Sequence, residues 1–166
     1  EKQFRYDLIE EEVIELGDAI EADDFVEMAD ALGDIIYVVY GAGITFGLNL
    51  EVAVEKGREI AETMDMFSAK TIGLLTDIGR ETILRLLHQA LSSNDARLVE
   101  STLATIIISV EYASRILDIP LVDIVDVIHK SNLSKLGDDG KPVFIDYNGA
   151  KKIGKSKNYA PPTEDI

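Results

Sequence analysis

The chain has 166 residues, 46% of them hydrophobic and 28% charged, with a formal net charge of −15. That size and apolar content suit one globular domain with a sizeable core, whereas so acidic a surface repels a phosphate backbone and argues against nucleic acid as the main partner. Cysteine is absent, which rules out a disulfide framework, thiol chemistry and Cys-ligated zinc and fits a cytoplasmic protein.

A helical pattern is already running at Glu1, so further chain is expected ahead of it. Predicted helix one spans about Lys2 to Ala22 and ends in the turn at Asp23 and Asp24; helix two follows to about Phe46, stopped by Gly47 and Asn49. Gly33, Gly41 and Gly43 lower the propensity of helix two but would let another backbone approach closely. Helix three is expected over about Leu50 to Ala69 and helix four over about Asp77 to Leu91. Ser92 to Asp95 make a turn and an N-cap for helix five, about Ala96 to Leu117. Pro120 opens helix six, which runs to about Lys135. Short connections and the lack of an alternating stretch before residue 142 predict an all-α fold, an up-and-down bundle of about six helices. No signal peptide is evident, and the longest apolar run, Ile35 to Leu50, falls short of a membrane span, so no membrane partner is expected.

Charge is distributed unevenly. From Tyr6 to Glu55 there are fourteen Asp and Glu residues and no Lys or Arg. On helix one Glu12 and Glu15 are three apart, with Glu11 four before Glu15; on helix two Glu27, Asp30 and Asp34 stand at i, i+3 and i+7. Each set therefore shares one helix face. Both faces abut apolar stripes (Ile9, Val13, Leu16, Ile20 and Phe25, Met28, Leu32, Ile35, Val39), which places some acids at a helix–helix seam. Carboxylates gathered at a seam are costly unless a cation or protons neutralise them. An oxygen-only set suits Mg²⁺ or Mn²⁺. The same acids would also serve as a merely solvated face.

A faint internal repeat runs through the chain. LVESTLATIIISVEYASRILDIPL (Leu98 to Leu121) echoes FVEMADALGDIIYVVYGAGITFGLNL (Phe25 to Leu50), with Val99, Glu100 and Tyr112 matching Val26, Glu27 and Tyr40. The second copy has Leu103 and Ile107 where the first has Asp30 and Asp34. Residues 1–136 then read as one helical domain, with 1–70 an acidic half and 71–136 a degenerate copy, a pseudo-dimer; two amphipathic hairpins that look alike are the alternative. Toward the tail, 137–166, the chain is expected to turn basic: from Lys130 to Ala160 there are seven lysines against three acids, and VFIDYNGAKKIG reads as a hairpin around Asn148-Gly149.

The pairing Glu12-Val-Ile-Glu15 with Glu27-Met-Ala-Asp30, the wording from Leu8 to Gly41, and the run HKSNLSKLGDDGKP from His129 to Pro142 resemble the all-α NTP pyrophosphatase superfamily, its MazG-type branch especially. That group also holds dimeric dUTPases and phosphoribosyl-ATP pyrophosphohydrolase. The resemblance covers about half the chain and departs from the MazG pattern in the roughly sixty residues inserted before the SNxSKL run. It implies a Mg²⁺-dependent hydrolase that converts a nucleoside triphosphate to monophosphate and pyrophosphate, working as a homodimer. Glu12, Glu15, Glu27 and Asp30 would hold the metal, Glu11 or Glu12 would activate water, and Asn132 and Lys135 would contact phosphate, with Lys130, Lys151 and Tyr159 as weaker contacts. Phosphoribosyl-ATP or dUTP is an alternative substrate. Tyr37 and Tyr40 could stack on a base, but both are expected in the core, since aromatics at helical spacing usually are. Two readings of other classes remain: a non-catalytic acidic partner protein, and a ferritin-like dimetal bundle, for which Asp126-x-x-His129 is the sole approximation to the required Glu-x-x-His. His88, on an apolar helix, reads as structural.

Overall fold

The computed structural model describes residues 1–63, 73–147 and 149–166. Six α-helices, α1 (Lys2–Glu21), α2 (Phe25–Phe46), α3 (Leu50–Thr63), α4 (Asp77–Ser92), α5 (Ala96–Ile116) and α6 (Leu121–Ser134), precede a two-stranded antiparallel hairpin, β1 (Phe144–Tyr147) and β2 (Ala150–Ile153). The last turns expected of helix three, the 70/71 boundary between the halves, and Asn148 in the hairpin turn lie outside the described residues.

Local chemistry sets the helix ends. Asp24 precedes α2 and its side chain accepts from the Glu27 backbone N–H at 3.2 Å; Asp95 does the same before α5, accepting from Arg97 and Leu98. These caps satisfy donors that the first helical turn leaves unpaired. At the far end of α2, Gly47 adopts φ 67°, and the Gly47 and Leu48 N–H groups return to the Ile44 and Gly43 carbonyls. A side chain is strained in that left-handed conformation, which glycine adopts freely.

The core is continuous. Ile9, Val13 and Leu16 of α1 meet Leu32, Ile35 and Val39 of α2, and Leu87, Leu103, Ile106, Ile107 and Val110 extend the same cluster into α4 and α5. Each large side chain buried in this way contributes roughly 1.5–3 kcal/mol of transfer free energy. α1 pairs with α2 and α4 with α5, while the third helix of each half crosses over: α3 packs on α5, and α6 packs on α2. The bundle is therefore interlocked, unlike the simple up-and-down arrangement expected from the short connections.

Gly33 makes one crossing possible. A Cβ there would lie 2.8 Å from both Ile124 and Ile128, so it is two α6 side chains, not another backbone, that take the vacated space. Gly33→Ala should destabilise the protein by about 1–3 kcal/mol, as overpacking does, although alanine is the better helix former; chemical denaturation measures it. Helix α2 is also long and apolar enough, by length and composition alone, to cross a membrane, yet half of its most apolar window is buried in protein.

Candidate functional site

The seam of α1 and α2 brings the acids together. Glu11, Glu12 and Glu15 come from α1, and Glu27, Asp30 and Asp34 from α2, close enough that their charges act on one another. Glu15 and Glu27 stand at the exposed rim, whereas Glu12, Asp30 and Asp34 are half-buried. Burial is the main cause that pushes the Glu12 carboxyl up to about 9, with Asp34, Glu15 and Glu11 adding repulsion. Burial likewise raises Asp30 to about 7, helped by Asp34, Glu27 and Glu15, and Asp34 to about 6. Glu15 is raised in the same way, by desolvation and then by Glu11. Asp34, which the sequence places in the pattern without marking it as a ligand, is thus a full member of the cluster.

Cations reach it from two directions. Lys135, the residue that ends α6, lowers the carboxyls of Asp30 and Asp34; its Nζ also donates to Asn132 Oδ1 at 2.5 Å. Lys152 of β2 donates to Glu11 Oε2 at 2.7 Å and lowers Glu12, Glu15 and Asp34. Tyr147 of β1 donates to the same Glu11 oxygen at 3.2 Å, and its ring meets Phe4 edge-on, which pins the hairpin to α1. The segment that follows is strapped to α6: Ser131 donates to the Ala160 carbonyl at 2.7 Å, the Ala160 N–H to the Ser134 hydroxyl at 2.9 Å, and Ser156 to the Ser134 carbonyl at 3.0 Å. The tail is a docked wall of the site.

Other expected residues lie elsewhere. Lys130 is exposed on α6 and is not among the cations acting on the cluster. Lys151 is exposed, facing away from Lys152, and pairs in register with Asp146. Tyr159 lies under Lys155 and Lys135, at 4.6 and 5.8 Å. Tyr37 is not core: it is 37% exposed, with its ring 6.1 Å from that of His129. Tyr40 is half-buried near Glu111 and Arg58. His88 is exposed and meets the Tyr6 ring edge-on. Asp126 and His129 are both exposed, so they do not form the inward pair a ferritin-like bundle requires.

The α4–α5 seam differs in kind. It holds a small cavity of ≈70 Å³ lined by Ile83, Leu86, Ser101, Thr102, Thr105 and Ile106, none of them charged. Leu103 and Ile107 are buried outright. Glu100 accepts from the Asn49 N–H at 3.2 Å, just ahead of α3.

The carboxylate cluster has the donor chemistry, though not the closed geometry, of a site for a hard divalent cation. Its donors are all oxygens, and Asp30 Oδ1 is buried with no hydrogen-bond partner, an acceptor left for something other than protein. Among the described residues no group of three or more acids or histidines stands where it could hold a metal ion as the side chains are placed. The Asp30 oxygen is the observation that favours a cation over a solvated face.

The paired carboxylates on two adjacent helices, by which the sequence resembles the MazG-like all-α NTP pyrophosphatase superfamily, lie within the stretch that a family comparison picks out. Residues 1–67 match the family model described as phosphoribosyl-ATP pyrophosphohydrolase, so this N-terminal stretch is a domain of that family. An uncharacterized protein of Acanthamoeba polyphaga mimivirus is 34% identical over 147 residues, which cover 81% of this chain and 58% of that protein. The chain thus spans little more than half the length of that relative. No solved structure matches the chain.

Proposed function

We propose that the protein is a Mg²⁺-dependent pyrophosphohydrolase that cleaves a nucleoside triphosphate, or its deoxy form, to the monophosphate and pyrophosphate. The match of residues 1–67 to a pyrophosphohydrolase family supports the reaction class. The observation that carries the reading is the half-buried cluster of Glu12, Asp30 and Asp34 faced by Lys135 and Lys152. Carboxylates on one side and lysines on the other are what a metal-complexed polyphosphate requires.

Glu12, Glu15, Glu27 and Asp30, with Asp34 behind them, would hold the ion that the family typically uses, Mg²⁺. Bound there, the ion would neutralise phosphate oxygens and acidify a water molecule. Of the two candidate bases, Glu12 is the one whose carboxyl is not held by Lys152 and Tyr147. One oxygen of Glu11 is already engaged by Lys152 and Tyr147, so its part is to hold the hairpin lysine at the rim. Lys135, oriented by Asn132, offsets charge on phosphate oxygens at the α6 side.

The family resemblance, more than the layout, favours the bond between the α and β phosphates: with an ion held by the acids and Lys135 and Lys152 flanking them, pyrophosphate can leave with its charge offset. Common NTPs and dNTPs, dUTP and phosphoribosyl-ATP should be assayed with Mg²⁺. Nucleotide products are resolved by chromatography, and phosphate and pyrophosphate are measured separately. Monophosphate with intact pyrophosphate is expected; diphosphate with orthophosphate as primary products would overturn the assignment.

A further inference from the structure

We propose that Tyr37 and His129 form the platform on which the base of the nucleotide stacks, an inference that rests on the nucleotide-hydrolase reading above. Asp30, Asp34 and Tyr37 stand at i, i+4 and i+7 on α2 and share one face. At 1.5 Å per residue, Tyr37 lies about 10 Å along the axis from Asp30, which is the reach of a sugar and base from an α-phosphate held at the acids. On α6, His129 comes one turn before Asn132 on the same face. The two helices thus carry phosphate-facing groups at one level and aromatic rings at the next.

The two rings lie against one another. Their centroids are 6.1 Å apart with the planes tilted by 34°. Both residues are exposed, at a crossing where the packing of Ile124 and Ile128 against Gly33 brings α6 close to α2. The other crossing, of α3 over α5, carries the Arg58–Glu111 ion pair instead. An exposed aromatic pair beside a carboxylate–lysine site offers ring area to any base, since every base has a π-face. Purines, with two fused rings, overlap more of it than pyrimidines do. The platform therefore favours purine nucleotides by area while accepting others.

The test is calorimetric titration of the full chain with Mg²⁺, using two probes: a non-hydrolysable purine nucleoside triphosphate and inorganic tripolyphosphate, which has no base. Tyr37→Ala should weaken nucleotide binding by about tenfold or more and leave tripolyphosphate binding unchanged. Tyr37→Phe, which keeps the ring, should bind both probes as the wild type does, and His129→Ala should show a smaller selective loss. Tyr37 is exposed and alanine is the better helix former, so the Ala variant keeps its fold. Equal affinity of the wild type for both probes, unchanged nucleotide binding by Tyr37→Ala, or equal losses of both probes would each overturn the platform. Selective nucleotide binding by a wild type that releases no pyrophosphate from any triphosphate would leave the platform standing and remove the hydrolase reading. Binding of neither probe would remove both.

Discussion

Glu12→Gln and Asp30→Asn should each cut pyrophosphate release by at least about a hundredfold, the usual scale for loss of a positioned acid–base group. Each exchange removes a negative charge at nearly constant volume from a cluster whose members repel one another. The metal-free variants should accordingly melt higher than the wild type, since the amides need neither a proton nor a cation to be tolerated there. Loss of activity with a gain in stability separates a site residue from a structural one. The control is Glu100→Gln: Glu100 is the residue that echoes Glu27 in the second half, but it faces the start of α3 through Asn49. It should release pyrophosphate at nearly the wild-type rate. Full activity in either Glu12→Gln or Asp30→Asn would remove the cluster from the mechanism.

Without divalent cations, the protein should lose stability as pH rises, by a melting-temperature drop on the order of 10 °C between pH 5 and 9. The sign follows from where protons reside. In the unfolded chain Glu12 ionises near 4.5 and Asp30 and Asp34 near 3.8, whereas in the folded chain they hold protons up to about 9, 7 and 6. Between those limits the folded state binds more protons, so unfolding becomes easier with each increment of pH. Below about pH 4 these groups are protonated in both states and contribute nothing. Saturating Mg²⁺ should remove most of the slope and raise the melting temperature, because it binds the native cluster; Glu12→Gln should remove the part above pH 7. A flat curve in chelator, or one that Mg²⁺ leaves unaltered against a matched ionic-strength control, would contradict the electrostatics described for the seam.

The helices were legible because apolar periodicity and cap residues are local. Asp24, Asp95 and Gly47 mark in sequence the places where chain direction changes in space. The cluster was legible for a different reason: an acidic stretch without lysine partners leaves its neutralisation to other parts of the chain or to solution. What periodicity reports is which face of a helix is apolar, not which helix covers it, so the crossing of α6 over α2 had no signature beyond Gly33. Lys152 shows the limit on the cationic side. It and Lys151 are equivalent in composition, and only the alternation of faces along β2, with the docking of Tyr147 on α1, decides which one meets Glu11. Tyr37 carries the spacing of a core aromatic, and its exposure follows from where α6 ends up.

The crossed third helices also govern how the chain must assemble. Gly33 meets Ile124 and Ile128, and Gly57 on α3 faces Ile108 on α5, so each half completes its packing only with a helix from the other. Neither the first three helices nor the last three can mature as an independent unit, and the closing contacts join segments far apart in sequence. Folding should therefore be slower than that of a bundle of nearest neighbours, whose contacts are local. Emergence from the ribosome compounds this: α2 must wait for α6 and the tail before its acids are walled in. The acids meet early, at the pairing of α1 with α2, but the lysines that face them arrive last, with α6 and the hairpin.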